Sequence, residues 1–338
     1  MIFWDFPEYF FFIKIFLFLF DNILLMKVHY GFDDLSSIKN PVVTTGSFDG
    51  VHIGHKTIIN RINEIARNID GESVLITFHP HPRKVLYPET EGKKLLFILS
   101  QREKIDLLCK AGLDHLIVVK FTLDFSKVSS LDFIKTYLME KLHAKFIVVG
   151  FNHHFGHNRE GDYEELRKLS NEYGFGVEEI PEQDIQQETV SSTTIRKALL
   201  EGRIQRANAY LDHQYIIIGS LGKGTHFFNQ ADFPTLTVQI DETGKLIPPE
   251  GIYAVTLEWN SASYRAMLIV WSNHPAGESD VIDRNVELHI LDFKGKFYNE
   301  DAKLYFHKRI TGGIDVNNSL RLRHQLEEAA KLVDELIF

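Results

Sequence analysis

The sequence has little cysteine and no excess of positive charge. Cys109 is the single cysteine among 338 residues, which excludes a disulfide framework and any cysteine-rich metal site and fits a cytoplasmic protein. The formal net charge is −9. A negative field repels nucleic acid overall, so we expect no nucleic-acid partner, although a local basic pocket for an anionic small molecule is compatible with it.

An uninterrupted membrane-spanning run is also lacking. Residues 1–25 are strongly apolar, but no charge-free stretch reaches the roughly 20 residues that a spanning helix needs. Four charged residues interrupt the run, namely Asp5, Glu8, Lys14 and Asp21. The charge order is also wrong for a signal peptide. We therefore expect no membrane association and interpret Met26 as the natural start, with 1–25 as an atypical extension; a membrane segment is the alternative.

The remaining chain is long enough for two domains. From Pro41 to about Leu211, short apolar runs alternate with amphipathic stretches, which predicts a doubly wound, mostly parallel α/β sheet. Ligands of such folds bind beyond the carboxyl ends of the strands. Ser100 and Glu103 form a capping-box pattern at the start of one helix. The predicted strands are Val42–Gly46, Ser73–Phe78, His115–Phe121 and Phe146–Gly150.

After Tyr215, apolar segments follow one another without intervening helices. This pattern predicts a small antiparallel barrel or sandwich, closed by a helix at about residues 317–336. The predicted strands are Tyr215–Leu221, Gly251–Trp259, Tyr264–Ser272, Val286–Phe293 and Ala302–Ile310. With a boundary near Asp212, the expected domains are 26–212 (α/β) and 213–338 (antiparallel β with a C-terminal helix).

The segment GSFDGVHIGH, Gly46 to His55, follows the first predicted strand and precedes a helix striped with isoleucine. Glycines allow backbone to approach a ligand closely, and a helix N-terminus favours anionic phosphate. His52 and His55 can donate hydrogen bonds to oxygens that gain charge during phosphoryl or nucleotidyl transfer. The combination therefore predicts a nucleotide-binding site.

A second phosphate-binding pattern is VSSTTIR, Val190 to Arg196. Its hydroxyls can cap a helix and bind phosphate at the same place, and Arg196 offers a charge-assisted fork. An ordinary serine-rich N-cap is the alternative interpretation. Its position after the last predicted strand of the α/β domain favours the functional interpretation.

These motifs resemble the bacterial bifunctional riboflavin kinase/FAD synthetase family, from about Val42 to the C-terminus. Other nucleotidyltransferases share the first two motifs more loosely. Three further segments narrow the resemblance to the flavin branch: FHPHP at 78–82, VGFNHHFG at 149–156 and REGD at 159–162.

By that resemblance, the first domain is a nucleotidyltransferase in which the phosphate of FMN attacks the α-phosphorus of ATP and pyrophosphate leaves, giving FAD. Mg²⁺ would neutralise charge during the transfer. The resemblance implies that His52 and His55 act on the ATP phosphates, and that Asn152 and Arg159 lie near the flavin phosphate or the metal. The implied ATP-binding residues are Gly46, Ser47, Phe48, Ser191, Ser192, Thr193 and Arg196.

The second domain resembles the riboflavin kinase barrel. The resemblance implies that Thr235 binds the metal, that Thr237 replaces a metal-binding asparagine, and that Glu287 is the base for the ribityl hydroxyl. Strand alternation taken alone instead favours an outward, exposed carboxylate at Glu287.

Two departures from the family pattern predict weak or absent riboflavin phosphorylation. In the phosphate loop, Phe228 and Asn229 replace glycine and arginine, and Asp232 replaces a glycine. A bulky ring would block backbone approach, and a carboxylate would repel phosphate. The segment Val270–Pro275 replaces the turn before the family's arginine-proline pair.

Three alternatives stay open. In a fully bifunctional enzyme, Gly222, Lys223 and Gly224 take over the phosphate loop. The chain could instead transfer a nucleotide to another phosphorylated metabolite, although such enzymes lack the barrel and the FHPHP segment. The third alternative is a noncatalytic flavin-binding sensor, against which the intact set of phosphate-binding donors argues. The sequence leaves the oligomeric state undetermined.

Overall fold

The protein is described by a computed structural model over residues 26–33, 35, 37–151, 153–182, 184–185, 188–240, 242–272, 284–293, 301–314 and 318–337. The predicted extension, 1–25, and Asn152 lie outside these residues. The chain divides into two compact units: the first comprises residues up to 46, 59–79 and 108–179, and the second comprises 47–58, 80–107 and 180–338. The sequence-domain limits 26–212 and 213–338 stay a prediction.

The first unit is built on a six-stranded sheet in the order β1-β4-β3-β2-β5-β6. The pairs β1–β4, β4–β3, β3–β2 and β2–β5 are parallel. The chain runs outward from β2 to β3 and then returns to place β5 on the other side of β2, so β2 lies at a topological switch point. The strands are β1 Lys27–Tyr30, β2 Val42–Thr45, β3 Ser73–His79, β4 His115–Lys120, β5 Phe146–Gly150 and β6 Gly176–Ile180.

Consecutive residues of the central strands are buried, which is the pattern of a sheet covered on both faces. Val74, Leu75 and Ile76 are all 0% exposed. On one face, Val74 and Ile76 lie in a core cluster with Phe133 and Leu166. The helices in the first half of the chain are Ile53–Asn68, Gln101–Lys110, the π-helix Phe133–Lys141 and Tyr163–Tyr173, with shorter turns at Pro82–Leu86, Glu91–Lys94, Phe125–Lys127, Ser130–Asp132 and His157–Arg159. Of these, Pro82–Leu86, Glu91–Lys94 and most of Gln101–Lys110 belong to the second unit.

The second unit contains a closed antiparallel barrel in the order β10-β13-β12-β11-β14-β9. The predicted fold class is therefore confirmed. Its strands are β9 Tyr215–Lys223, β10 Leu236–Gln239, β11 Gly251–Trp259, β12 Ala262–Trp271, β13 Asn285–Ile290 and β14 Asp301–Gly312, and a small hairpin pairs β7 Asp184–Ile185 with β8 Glu188–Thr189. The helices in this later part of the chain are Ser192–Leu200, Ile204–Leu211, His226–Gln230 and Ser319–Leu336.

The C-terminal helix covers one side of the barrel. Leu322, Leu326, Ala329 and Val333 recur every three or four residues, so they share one helix face. They lie in a core cluster with barrel residues such as Ile252, Met267 and Ile269. In the described part of the chain, no helix is both long and apolar enough to cross a membrane.

Candidate active sites

The nucleotide-binding motif forms a tight turn after the carboxyl end of β2. Phe48, Gly50 and Val51 all have left-handed backbone, with φ of 46°, 96° and 42°. Left-handed phenylalanine and valine cost free energy and are found mainly where function requires the conformation. The turn ends at His52, directly before the helix Ile53–Asn68, so the helix N-terminus and both histidines belong to one local structure.

The two histidines stack on each other and on Phe48. The ring centroids of His52 and His55 are 3.6 Å apart, and those of Phe48 and His55 are 4.4 Å apart. The Nδ1 atom of each histidine is buried without a hydrogen-bond partner. Buried polar atoms are normally satisfied, so unpartnered nitrogens side by side are the chemistry expected of a ligand site.

Burial keeps both imidazoles neutral at pH 7. It lowers the pKa of His52 to about 4, an effect that the nearby Asp49 carboxylate opposes and the positive charge of Arg196 strengthens. The pKa of His55 lies well below its usual value, because of burial and then the charges of His52 and Lys104. A phosphate placed here would favour the protonated forms and raise both pKa values.

The second motif opens the helix Ser192–Leu200. Ser191 is its N-cap and accepts a hydrogen bond from the backbone N–H of Thr194. Ser192 Oγ donates to the carbonyl oxygen of Asp49 at 2.8 Å, and Thr193 is exposed. The structure thus brings Ser192 to the GSFDG turn, whereas the Ser191 hydroxyl is used by the cap.

Asp49 joins the two motifs, and sequence reasoning missed its role. Its side chain, 3% exposed, accepts from Arg196 Nη2 at 2.5 Å and from the backbone N–H groups of Ile98 at 3.1 Å and Leu99 at 3.0 Å. Arg196 Nε also donates to the carbonyl of Leu96 at 2.7 Å. These contacts fix the guanidinium beside the turn while its Nη1 end keeps donors for a phosphate. The Asp in GSFDG was the available signal.

Lys104 is a second residue that the sequence did not single out. Its ammonium donates to the carbonyl of Ser47 at 2.9 Å. Burial lowers the pKa of Lys104, and the carboxylates of Asp49 and Glu242 oppose this shift. The turn is therefore held from both sides, by Lys104 at Ser47 and by Ser192 at Asp49.

Two predicted positions belong to the first unit. The N–H of Gly46 donates to the carbonyl of Ile76 at 3.0 Å, which continues the sheet at the end of β2. Arg159 is exposed, with left-handed backbone at φ 60°. Near it in the sequence, burial lowers the pKa of His153 to about 4, and the His153 Nε2 atom is buried without a partner.

In the barrel, Glu287 is 0% exposed. The outward carboxylate favoured by alternation is therefore wrong: closing the sheet into a barrel buries this position. Glu287 Oε2 accepts from Thr235 Oγ1 at 2.5 Å and from the N–H of Thr225 at 3.2 Å, whereas Oε1 is buried without a partner. Thr237 pairs with Glu287 across β10 and β13, and its hydroxyl donates weakly to the Lys223 carbonyl at 3.4 Å.

The structure does not support the argument that the phosphate loop is blocked. Phe228 is 0% exposed and packs into the core beside Trp271, with ring centroids 6.2 Å apart, so its ring does not enter the loop. Asp232 has the left-handed backbone, φ 62°, that glycine adopts readily, and its carboxylate pairs with Arg323 Nη1 at 2.7 Å. Asn229 is exposed and donates to Thr225 O at 3.3 Å.

A different glycine segment lies against the threonines. A Cβ on Gly224 would meet the Thr235 carbonyl at 2.2 Å, and one on Gly222 would meet Thr237 Oγ1 at 2.6 Å. Close backbone approach at 222–224 agrees with the shifted phosphate loop of the bifunctional alternative. For the second departure, residues 273–275 lie outside the described chain, and Val270 and Trp271 are buried strand residues.

The donor set at the barrel site suits a hard cation. Mg²⁺ prefers carboxylate and hydroxyl oxygens, and it keeps waters and substrate phosphates among its ligands. Thr235 offers such a hydroxyl oxygen beside the Glu287 carboxylate. Among the described residues, no cluster of three or more histidine, cysteine, aspartate or glutamate side chains forms an all-protein metal cage.

The parallel α/β sheet followed by a closed barrel is the architecture expected of a nucleotidyltransferase joined to a kinase-type barrel. A family model for FAD synthetase matches residues 35–194, and one for riboflavin kinase matches residues 211–337. The bifunctional riboflavin kinase/FMN adenylyltransferase of Listeria monocytogenes is 31% identical over 289 residues, 86% of this chain and 90% of that protein. The Bacillus subtilis protein of the same description is 31% identical and covers 85% of this chain and 89% of its own length. The chain belongs to the bifunctional riboflavin kinase/FMN adenylyltransferase family.

A solved structure extends this likeness to three dimensions. A crystal structure described as that of a macrolide-efflux protein from Streptococcus pneumoniae superposes with a TM-score of 0.81 at 26% identity and covers 92% of this chain and 99% of its own. The term efflux belongs to the description of that protein and is not carried over to this chain. For this chain, the two family models and the bifunctional relatives define the enzyme class.

Proposed function

We propose that the protein carries out two successive reactions, phosphorylation of riboflavin to FMN and adenylylation of FMN to FAD. One observation supports both: each site presents a buried polar atom without a partner, Nδ1 of His52 and His55 in one and Oε1 of Glu287 in the other. An idle site has no physical reason to retain such atoms. This is the bifunctional alternative, preferred to a disabled kinase because Phe228 faces the core.

In the kinase reaction, the ribityl hydroxyl oxygen attacks the γ-phosphorus of ATP, its proton passes to Glu287, and ADP leaves. Glu287 Oε2 is engaged by Thr235 and Thr225, so the carboxylate is held with Oε1 free to accept that proton. A general base must lie within hydrogen-bond reach of the proton it takes. We assign Thr235 and Thr237 to the metal neighbourhood of this site.

In the adenylyl transfer, an oxygen of the FMN phosphate attacks the α-phosphorus of ATP and pyrophosphate leaves. No covalent enzyme intermediate is required. His52 and His55 stabilise the charge that develops on the phosphate oxygens, while Arg196, held by Asp49, binds the triphosphate. Gly46, Ser47, Phe48, Ser191, Ser192 and Thr193 complete the proposed ATP site.

Two further assignments accompany the proposal. Mg²⁺, when bound, neutralises phosphate charge in both reactions. Thr235 and Thr237 would hold it in the barrel, and Asn152 and Arg159 are assigned to the flavin-phosphate or metal neighbourhood of the transferase. The cytoplasmic location rests on the cysteine content of the sequence.

The test is a pair of incubations of purified protein with Mg·ATP, one with riboflavin and one with FMN, with the flavins separated by chromatography. FMN and FAD from riboflavin, together with FAD from FMN, support the proposal. FAD from FMN alone would restore the disabled-kinase hypothesis, and no product from either would favour a flavin-binding sensor.

A further inference from the structure

Lys245 lies in the part of the chain that matches riboflavin kinase, but its ammonium contacts the part that matches FAD synthetase. The side chain is 1% exposed. Its three hydrogens are all used: Nζ donates to Glu103 Oε2 at 2.5 Å, to the Ile98 carbonyl at 2.7 Å and to the Ile216 carbonyl at 2.8 Å. An ammonium has three donors, so this one has none left for a ligand.

Glu103, its partner, is also fully buried and fully engaged. Oε2 accepts from the N–H of Ser100 at 2.7 Å, which makes the predicted capping box, and Oε1 accepts from the N–H of Ile218 in β9 at 2.8 Å. The start of the helix Gln101–Lys110 is thus attached to the barrel by Lys245 and Ile218.

Ile98 connects this attachment to the nucleotide site. Its carbonyl accepts from Lys245, and its N–H donates to Asp49, which also pairs with Arg196. One peptide segment, 98–103, is therefore held by barrel groups on one side and orients the carboxylate that fixes Arg196 on the other. The hydrogen bonds of Ile98 to Lys245 and to Asp49 are buried, and the pair Asp49–Arg196 is partly buried. Water therefore does not readily replace these bonds when Lys245 moves.

We propose that Lys245 is a positioning residue for the adenylyl-transfer site, acting through Glu103, Ile98 and Asp49 on Arg196. The inference rests on the proposed function. It means that a side chain of the kinase barrel sets the affinity of the other reaction for ATP.

The same helix provides a matched control. Lys303 of β14 pairs with Asp106, one turn further along the helix Gln101–Lys110. Both residues lie outside the segment 98–103. Lys303→Met therefore removes an ion pair between the barrel and this helix at a position outside the segment that orients Asp49.

The experiment measures both reactions of the full-length protein in wild type, Lys245→Met and Lys303→Met. We expect Lys245→Met to lower kcat/KM for ATP in FAD synthesis by about tenfold or more. The loss should fall mainly on the KM for ATP, because Arg196 holds the triphosphate already in the ground state. Riboflavin phosphorylation by Lys245→Met, and both reactions of Lys303→Met, should stay within about twofold of wild type.

Removing one member of a buried ion pair can prevent folding. The double variant Glu103→Gln/Lys245→Met avoids an uncompensated carboxylate, keeps one of the two acceptor oxygens at position 103 and still lacks the donor to Ile98. We expect it to fold and to retain the raised KM for ATP.

Three results would overturn the inference: a wild-type KM for ATP in the double variant, an equal rise in KM in Lys303→Met, or an equal loss of kcat in both reactions with unchanged KM. Failure of the proposed function is distinguishable, because wild type itself would then make no FAD from FMN. In that case, ATP binding is measured by calorimetric titration of the same proteins. If Lys245 positions Arg196, the double variant binds ATP more weakly than Lys303→Met does.

Discussion

Glu287→Gln separates the two proposed reactions. The substitution keeps the shape of the side chain and removes its ability to accept a proton. The amide oxygen can still accept from Thr235 Oγ1 and the N–H of Thr225, the two donors to Oε2. The amide nitrogen then replaces Oε1, which has no partner to lose. The local structure should therefore survive.

The expected costs of Glu287→Gln in stability and in reaction rate differ in size. A hydrogen bond to a charged acceptor contributes about 1.5–3 kcal/mol and a neutral one about 0.5–1.5 kcal/mol, so two weakened bonds cost about 2 kcal/mol of stability. Relief from burying a charge at Glu287 offsets part of this cost. Loss of a general base lowers the rate by about 10²- to 10⁴-fold, which corresponds to about 3–5 kcal/mol. The expected rise in the activation free energy is therefore larger than the expected fall in the free energy of unfolding, so partial unfolding does not account for the loss of rate.

The assay follows riboflavin phosphorylation and FAD formation from FMN on the same preparation, with thermal unfolding recorded alongside. We expect the first rate to fall by about 10²-fold or more and the second to stay at the wild-type value. Glu258→Gln is the matched control, because Glu258 is an exposed carboxylate on another strand of the same barrel, β11. Near-normal phosphorylation by Glu287→Gln would refute the assignment of Glu287 as base.

Three further predictions concern the nucleotide turn. His52→Asn should lower FAD formation from FMN by about 10²-fold and leave riboflavin phosphorylation intact; parallel loss of both rates contradicts the assignment. Burial lowers the pKa of His52 from 6.5 to about 4, so neutral His52 stabilises the fold above pH 6.5, and this contribution, about 3 kcal/mol, is lost as pH falls from 6.5 towards 4. The free energy of unfolding should therefore depend less steeply on pH in His52→Asn over that interval, and an unchanged slope counts against the burial argument. Asp49→Asn should lower the free energy of unfolding by about 3–5 kcal/mol, because it leaves Arg196 without its buried partner, and it should also weaken ATP binding. If denaturant titration shows an unchanged free energy of unfolding, Asp49 does not hold Arg196 in this way.

Strand prediction succeeded where burial on both faces left near-continuous apolar runs. The runs at β2, β3, β4 and β5 matched the structure to within a residue at each end. The short strands β1, β6 and β10 escaped prediction, because four or five residues with polar side chains carry too weak a periodic signal. Neighbouring strands supply their hydrogen bonds, and the sequence does not display those partners.

The candidate sites likewise contain features that a short motif predicts and features that depend on residues far away in the sequence. The motif GSFDGVHIGH predicted a turn followed by a helix start, because the glycines and the histidine spacing determine backbone conformation within a few residues. The roles of Asp49 and Lys245 depend on donors and acceptors far away in the chain, such as Arg196 and Ile98. No local pattern distinguishes a carboxylate that holds a guanidinium from one that merely forms a turn.

By itself, the sequence determined the order of the two folds, the family and the positions of the two motifs that we propose bind phosphate, because periodicity and short motifs are local properties. Only the tertiary structure decided which way Phe228 points and whether Glu287 is buried. The Phe228 ring could face the phosphate loop or the core, and contact with Trp271 and the C-terminal helix cluster places it in the core. Closing the sheet into a barrel buries Glu287, and closure is a property of six strands together.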